Sequence, residues 1–202
     1  GYRQIEYLRT HSGNTGYGLA IFSKHPIVDG GAIRFDNSLN LAIYSDINVN
    51  GKIVRVFNNH LESIGFQEHE LSVLDSLDFR MSDSQKQGLR NISQKLNRAF
   101  TSRSAQAEAL ARHIGNSPYP VIVCGDFNDT PVSYVYRTMR GSLKDAFRES
   151  GSGFGGTYNG RLPSFRIDYL FHSPEFDSYN FRVFPIKYSD HFPIMATIDL
   201  KK

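Results

Sequence analysis

Apolar and polar positions alternate over residues 40–48, and apolar residues return over residues 52–58. Alternation with a period of two is typical of a strand that buries one face. Between the two segments stands Asn50-Gly51, the dipeptide that a two-residue hairpin turn prefers because both positions need positive φ. The pattern therefore predicts a β-hairpin.

The spacing changes in the middle of the chain, where apolar residues recur every three or four positions. Residues 68–77 place leucines on one face, and residues 84–114 do the same over a longer span. This spacing predicts amphipathic helices. The longer span is either one helix or two helices broken near residues 101–103.

Short apolar runs predict further strands at residues 19–23, 120–124, 166–172, 180–187 and 194–200. Short helices are predicted at residues 133–139 and 143–147, whereas the stretch before residue 16 has no clear pattern. Strands, then helices, then strands predict one α/β (α+β) domain with two sheets, spanning residues 1–202.

Composition narrows the function only slightly. The net charge of +3 and the pI of about 9.0 suit an anionic substrate, but many proteins without one carry as much charge. The single cysteine, Cys124, excludes an internal disulfide. No apolar stretch is long enough for a transmembrane helix, and residues 1–11 do not resemble a signal peptide.

Polar clusters follow or begin four predicted strands. Each alone has a simpler explanation, such as a turn closed by side-chain hydrogen bonds. A simple explanation is harder to give for Asp168, because a carboxylate in an apolar strand is costly to bury without a partner. Together the clusters indicate a site at one end of the sheet. They are Asn58-Asn59-His60-Leu61-Glu62, Gly125-Asp126-Phe127-Asn128-Asp129, Arg166-Ile167-Asp168-Tyr169 and Ser189-Asp190-His191-Phe192-Pro193.

The residue types in these clusters fit phosphoester hydrolysis. Carboxylates can hold Mg²⁺ or Mn²⁺, because hard cations choose oxygen ligands. A histidine beside a carboxylate can activate water, and amides with a second histidine can hold phosphate oxygens. The candidates for these tasks are Asp126, Asn128, Asp168, Asp190, His191 and His60.

Three of the clusters resemble, in order, the C-terminal signatures of the endonuclease/exonuclease/phosphatase superfamily: Gly125-Asp126-Phe127-Asn128, Arg166-Ile167-Asp168-Tyr169 and Ser189-Asp190-His191-Phe192-Pro193. Asn59-His60-Leu61 resembles an earlier family strand end, and the resemblance covers the chain from Tyr17 onward. It implies a deoxyribonuclease-like fold, a two-sheet β-sandwich flanked by helices. It also implies a metal-dependent phosphoester hydrolase, acting on phosphodiesters, that uses a His-Asp pair to activate water.

The resemblance also assigns roles. His191 would be the general base, oriented by Asp168, although either Asp126 or His191 could take the proton. Further catalytic contributions are implied for Asp126, Asn128 and His60. Substrate contacts are implied for Asn59, His60, Asn128 and Arg166, and Mg²⁺ (or Mn²⁺) ligands for Asp190, Asp126 and Asn128.

One departure from the family pattern concerns the beginning of the chain. The family's first strand with its asparagine, and its later Gln-Glu pair, have no counterpart before Tyr17. We therefore expect an N-terminally incomplete domain that lacks the first family strands and binds metal weakly. An exposed sheet edge would then favour self-association. The resemblance further suggests a bacterial parent protein tethered to a membrane, while the compartment itself stays unknown.

Substrate class and activity stay open at this level. Nucleic acid, lipid and small phosphodiesters are all compatible with the motifs. A basic cluster, Arg137, Arg140, Lys144 and Arg148, has helical spacing and is interpreted as a solvated face rather than a nucleic-acid stripe. The alternative to an enzyme is a catalytically silent binding module, or a fragment of the same fold that depends on a partner. A purely structural domain with coincidental turns is disfavoured by the ordered set of motifs.

Overall fold

A computed structural model describes residues 1–10, 16–36, 38–75, 82–161 and 163–201. The predicted α/β class is confirmed. The elements in chain order are β1 (Tyr2–Thr10), β2 (Gly16–Ser23), β3 (Ile27–Arg34), β4 (Leu41–Val49), β5 (Lys52–His60), α1 (Glu68–Asp75), α2 (Asp83–Gly115), β6 (Val121–Asp126), α3 (Tyr134–Arg140), β7 (Lys144–Asp145), α4 (Ala146–Ser150), β8 (Asp168–His172), β9 (Phe176–Val183) and β10 (Ile194–Leu200).

The main sheet has six strands in the order β3-β4-β5-β6-β8-β7. Its centre is the parallel pair β5–β6, and its other pairs are antiparallel. The predicted hairpin is confirmed as β4–β5, whose turn places Asn50 at φ 53° and Gly51 at φ 90°. Positive φ at both positions is what this turn requires.

Helices α2 and α3 cover one face of the main sheet. Phe57, Val123 and Phe171 are neighbours across adjacent strands and pack in one core with Leu110 of α2 and Met139 of α3. Helix α2 begins at a capping box formed by Ser82 and Gln85, and it runs unbroken for 33 residues. The longer helical region is therefore one helix rather than two.

The opposite face carries a second layer. Strands β1 and β2 form an antiparallel pair, from which Ile21 packs onto Leu41 and Ile43 of β4. A further antiparallel pair, β9–β10, makes the third sheet. The predicted fold class, sheets packed face to face and flanked by helices, is confirmed, although the described strands form three sheets instead of two.

Several boundaries differ from the sequence predictions. Helix α4 begins at Ala146 instead of residue 143, because Lys144 and Asp145 first pair with β8. Strand β1 forms where the sequence gave no clear pattern. The end of the predicted helix 68–77 lies outside the described residues after Asp75. In the described part of the chain, no helix has both the length and the apolar character needed to cross a membrane.

Candidate active site

Strand register brings three of the predicted site residues side by side. His60 of β5 lies opposite Asp126 of β6, which in turn lies opposite Asp168 of β8. Residues paired in this way project to the same face of a sheet. All three side chains line a cavity of about 950 Å³, the floor of which is the end of the central strands.

A close backbone approach shapes the cavity floor. Gly125 has φ 140°, and a Cβ at this position would meet the backbone oxygen of Asn59 at 2.0 Å. Only glycine therefore allows β6 to run this close to β5. Asn59 is 1% exposed and lines the cavity, yet neither Nδ2 nor Oδ1 of its side chain has a hydrogen-bond partner among the described residues. An unpaired buried amide is costly, so a ligand atom that meets it would be favoured.

Asn128 is tied to Asp126 in a tight turn after β6. Its backbone N–H donates to Asp126 Oδ1 at 2.7 Å, and its Nδ2 donates to Asp126 Oδ2 at 2.8 Å. Nδ2 also donates to the backbone oxygen of Leu61 at 3.0 Å. Asn128 has φ 52°, a region that asparagine tolerates better than most residues. Its Oδ1 takes part in none of these bonds and stays available to a cation or a hydroxyl donor.

His191 reaches the same group of side chains from the loop before β10. A β-bridge to Tyr158 holds its backbone, and the two rings pack edge to face at 5.6 Å. Nδ1 of His191 lies 2.8 Å from Asp168 Oδ2, which fixes the ring. Nε2 then lies 3.9 Å from Asp126 Oδ2. The predicted His191–Asp168 pair is therefore present as a hydrogen-bonded pair.

The charges in this cluster act strongly on one another. Burial, together with the neighbouring carboxylate of Asp168, raises the pKa of Asp126 to about 7. The hydrogen bond to Asp168 raises the pKa of His191 to about 9, with help from nearby carboxylate charges and against the effect of burial. Burial and the charge of His191 lower the pKa of His60. A carboxylate and two histidines whose pKa values are perturbed in one cleft are typical of a functional site.

Two residues of α2 that the motifs did not identify contact the segments that follow β5 and β6 and so help to position the site. The Arg103 side chain is 1% exposed, its Nε lies 3.3 Å from Asp129 Oδ2, and its guanidinium donates to the backbone oxygen of Glu62. Gln106 accepts a hydrogen bond from the backbone N–H of Glu62. Both residues fall on the buried stripe of Ala99 and Ala107, and this polar interruption of an apolar stripe was the available sequence signal.

Arg166 does not take the position predicted for it. Its guanidinium is buried, donates to both oxygens of Asp145 at 2.9 and 3.1 Å, and stacks on the ring of Phe147 at 4.4 Å. It is not among the residues that line the cavity. The substrate contact predicted for Arg166 is therefore replaced by a structural role: it pairs with a buried carboxylate that would otherwise be uncompensated.

Known protein families provide independent information about this chain. The profile of the Endonuclease/Exonuclease/phosphatase family matches residues 1–191. The chain belongs to this family. The match begins before Tyr17, where the motif resemblance began. No curated protein sequence matches the chain significantly.

Solved structures with this family's fold resemble the chain at low sequence identity. Human Nocturnin, solved as a catalytic domain with bound sulfate, has a TM-score of 0.68 at 17% identity, over 99% of this chain and 72% of that one. The mannosyl-6-phosphatase Bt3783 of Bacteroides thetaiotaomicron VPI-5482 has a TM-score of 0.62 at 18% identity, over 92% and 71%. Beta toxin of Staphylococcus aureus has a TM-score of 0.59 at 18% identity, over 97% and 77%. At these identities the comparison supports the fold alone.

Enzymes of the endonuclease/exonuclease/phosphatase family are hydrolases that generally use divalent metals, and the donor set here fits such an ion. Ligand atoms of Asp126, Asp168 and His191 all lie within 4.8 Å of one another. Burial and the neighbouring carboxylate of Asp168 raise the pKa of Asp126, and a bound cation would offset both effects. Asp190 lines the same cavity but does not belong to this close group.

Proposed function

We propose that this chain is a Mg²⁺-dependent phosphodiester hydrolase in which the His191–Asp168 pair and Asp126 prepare a water molecule for attack on phosphorus. The observation that carries the proposal is the geometry of the three groups. Asp168 fixes the His191 ring at 2.8 Å, and the free Nε2 then faces Asp126 Oδ2 at 3.9 Å inside an open cavity.

A water molecule fits between His191 Nε2 and Asp126 Oδ2 if it sits to one side of the line that joins them. At a hydrogen-bond length of about 2.8 Å to each atom, it would touch both across their 3.9 Å separation. Asp168 holds the ring and stabilises its charged form, as in other histidine-carboxylate pairs. In the metal-free protein the pKa of Asp126 is about 7, and a cation bound to this carboxylate would lower it, so Asp126 and His191 both stay candidates for the proton acceptor.

The phosphate group would lie beside this water, against His60, Asn59 and Asn128. His60 Nε2 stands 3.6 Å from Asp126 Oδ2 on the neighbouring strand, within reach of the same phosphate or of its leaving oxygen. Asn59 also lines the cavity, but its unpaired amide atoms are buried, so they would reach the phosphate only after the side chain moves. Hydrogen-bond donors already placed beside the phosphate stabilise charge that develops on its oxygens during the reaction.

The carboxylate of Asp126 and the amide oxygen of Asn128 would hold Mg²⁺, with Asp190 as a further ligand from the cavity rim. A bound divalent ion supplies positive charge to the phosphate oxygens. The oxygen-rich donor set favours Mg²⁺ or Mn²⁺ over softer metals.

Hydrolysis of bis(4-nitrophenyl) phosphate, with and without Mg²⁺, tests the proposal. We expect metal-dependent turnover that His191→Ala reduces at least about 100-fold, because the substitution removes the group that positions water. His113→Ala is the matched control, since His113 is exposed and does not line the cavity. Absence of turnover, with metal and phosphate binding retained, would favour a catalytically silent binding module instead.

Self-association is a second part of the proposal. Among the described strands, β1 pairs only with β2, and β10 pairs only with β9, so each has one edge without a strand partner. Unpaired edges readily add another strand. Sedimentation at several protein concentrations should therefore reveal a dimer, whereas a concentration-independent monomer would contradict this part.

A further inference from the structure

The cavity extends well beyond the carboxylates and ends in an apolar wall, which we define as Ile64, Phe66, Leu71 and Phe100. The first two belong to the segment between β5 and α1, and the others stand on α1 and α2. Phe100 lines the cavity and is 47% exposed. The wall and the proposed catalytic groups therefore share one continuous space.

Cations of α2 hold this apolar wall in place. Lys95 Nζ donates to the backbone oxygen of Gly65 at 2.6 Å and pairs with Glu70 at the same distance. The same ammonium group lies 6.0 Å from the centre of the Phe66 ring. The Arg103 guanidinium lies 5.2 Å from the Phe100 ring centre. A wall that is fixed before binding loses less entropy when a ligand arrives.

The lining of the cavity argues against a highly charged substituent. Among the described residues that line it, the only lysine or arginine is Arg103. That guanidinium is buried and already engaged with Asp129 and the backbone of Glu62. Nucleic acid and polyphosphorylated ligands normally meet several free cationic side chains, which this part of the cavity does not offer.

We propose that the apolar wall binds an uncharged apolar substituent of the phosphoester, so that the substrate is a phosphodiester with an aromatic or alkyl group. The inference rests on the proposed function, because the phosphate must first be held at His60, Asp126 and His191. The volume supports it: about 950 Å³ exceeds what a phosphate group needs and falls within the range of sites for ligands of drug size.

Binding of two phosphonates in the presence of Mg²⁺, followed by NMR titration, tests the subsite. Phenylphosphonate should bind about 10-fold tighter than methylphosphonate, since its ring removes more apolar surface from water. In the double variant Phe66→Ala/Phe100→Ala this preference should fall to about 2-fold, while methylphosphonate binding stays unchanged. Phe154→Ala is the matched control, because Phe154 is fully exposed and outside the cavity.

The outcomes separate the subsite from the hydrolase. Equal affinities for the two phosphonates, or a preference that survives the double variant, would overturn the subsite. If the double variant unfolds, Phe100→Ala alone gives the same test, since that ring is largely exposed. Turnover of bis(4-nitrophenyl) phosphate is measured on the same samples. Selective binding without turnover would keep the subsite and overturn the hydrolase, whereas turnover without binding of either phosphonate would keep the hydrolase and overturn the subsite.

Discussion

Asp126 and Asp168 are direct partners across the antiparallel pair β6–β8, so two carboxylates project from neighbouring strands onto the same face of the sheet. Like charges placed this closely disfavour each other's ionised form. The protein counters the repulsion with His191, which bonds to Asp168 and faces Asp126. The site is thus built by strand register, with the histidine added from a loop.

The first prediction concerns the charge of His191. Its pKa is raised to about 9, chiefly by the hydrogen bond to Asp168. Asp168→Asn removes that negative charge, so the pKa of His191 should fall by about 1 to 3 units. NMR titration of the ring in metal-free protein measures this directly. An unchanged pKa would mean that Asp168 does not hold the ring.

The second prediction concerns the close approach of β5 and β6. Gly125→Ala should destabilise the fold by about 2 kcal/mol or more, because its Cβ would meet the backbone of Asn59 at a position with φ 140°. Gly115→Ala is the control, since a Cβ there meets nothing within 4 Å. Urea unfolding compares the two variants. Similar free energies of unfolding for both would contradict the packing of the cavity floor.

The third prediction tests the support that α2 gives to the site. Arg103→Met leaves Asp129 and the backbone oxygen of Glu62 without their buried partner, which should cost about 3 kcal/mol. Activity should fall as well, because Asp129 directly follows Asn128. Arg98→Met is the control from an exposed position on the same helix. If both variants unfold at the same urea concentration, Arg103 has no such role.

The fourth prediction concerns stability in acid. Glu149 accepts from Lys144 at 2.8 Å and from Ser178 at 2.6 Å, and it lies 2.9 Å from His172. Against the opposing effect of burial, these partners lower the pKa of Glu149 to about 2. A depressed folded-state pKa adds stability above the ordinary glutamate pKa of about 4.3, and that stability is lost as the pH falls toward 2.

The variant Glu149→Gln should therefore be less stable than the wild type by about 1 to 2 kcal/mol at pH 7, allowing for partial solvent screening of this carboxylate. The difference should shrink between about pH 4.5 and pH 3. Unfolding curves at several pH values measure it, with Glu175→Gln as an exposed control. A difference that does not depend on pH over this range would refute the assignment.

Local chemistry explains which parts of the fold were predictable. The β4–β5 hairpin follows from its alternating pattern and from Asn50-Gly51, which demand no knowledge of the rest of the chain. Strand β1 was not predictable, because its inward positions include Gln4 and Glu6. These polar residues are satisfied by distant partners: Gln4 bonds to Ser45, and Glu6 pairs with Arg34. Such non-local contacts leave no periodic signal.

The same distinction holds at the site. The motifs located Asp126 and Asp168, which end and begin strands, and His191, which lies in the loop before β10, and the structure brings these three together. Arg103 was missed because a polar residue in a long amphipathic helix is expected on the solvent-exposed face. In the structure it is buried against Asp129. Arg166 was misjudged for the converse reason: its buried partner Asp145 stands 21 positions earlier in the sequence.

Turnover of a phosphodiester by Asp126→Asn, over a range of Mg²⁺ concentrations, tests the central claim most directly. Asp126 lies between His60 and Asp168 in the sheet. In the proposed mechanism it contacts the attacking water and is also a ligand of Mg²⁺. We predict Mg²⁺-dependent hydrolysis by the wild type and by the exposed control Asp199→Asn, and a loss of at least about 1,000-fold in Asp126→Asn. Hydrolysis by Asp126→Asn at the wild-type rate, or no Mg²⁺-dependent hydrolysis by the wild type, would contradict the account.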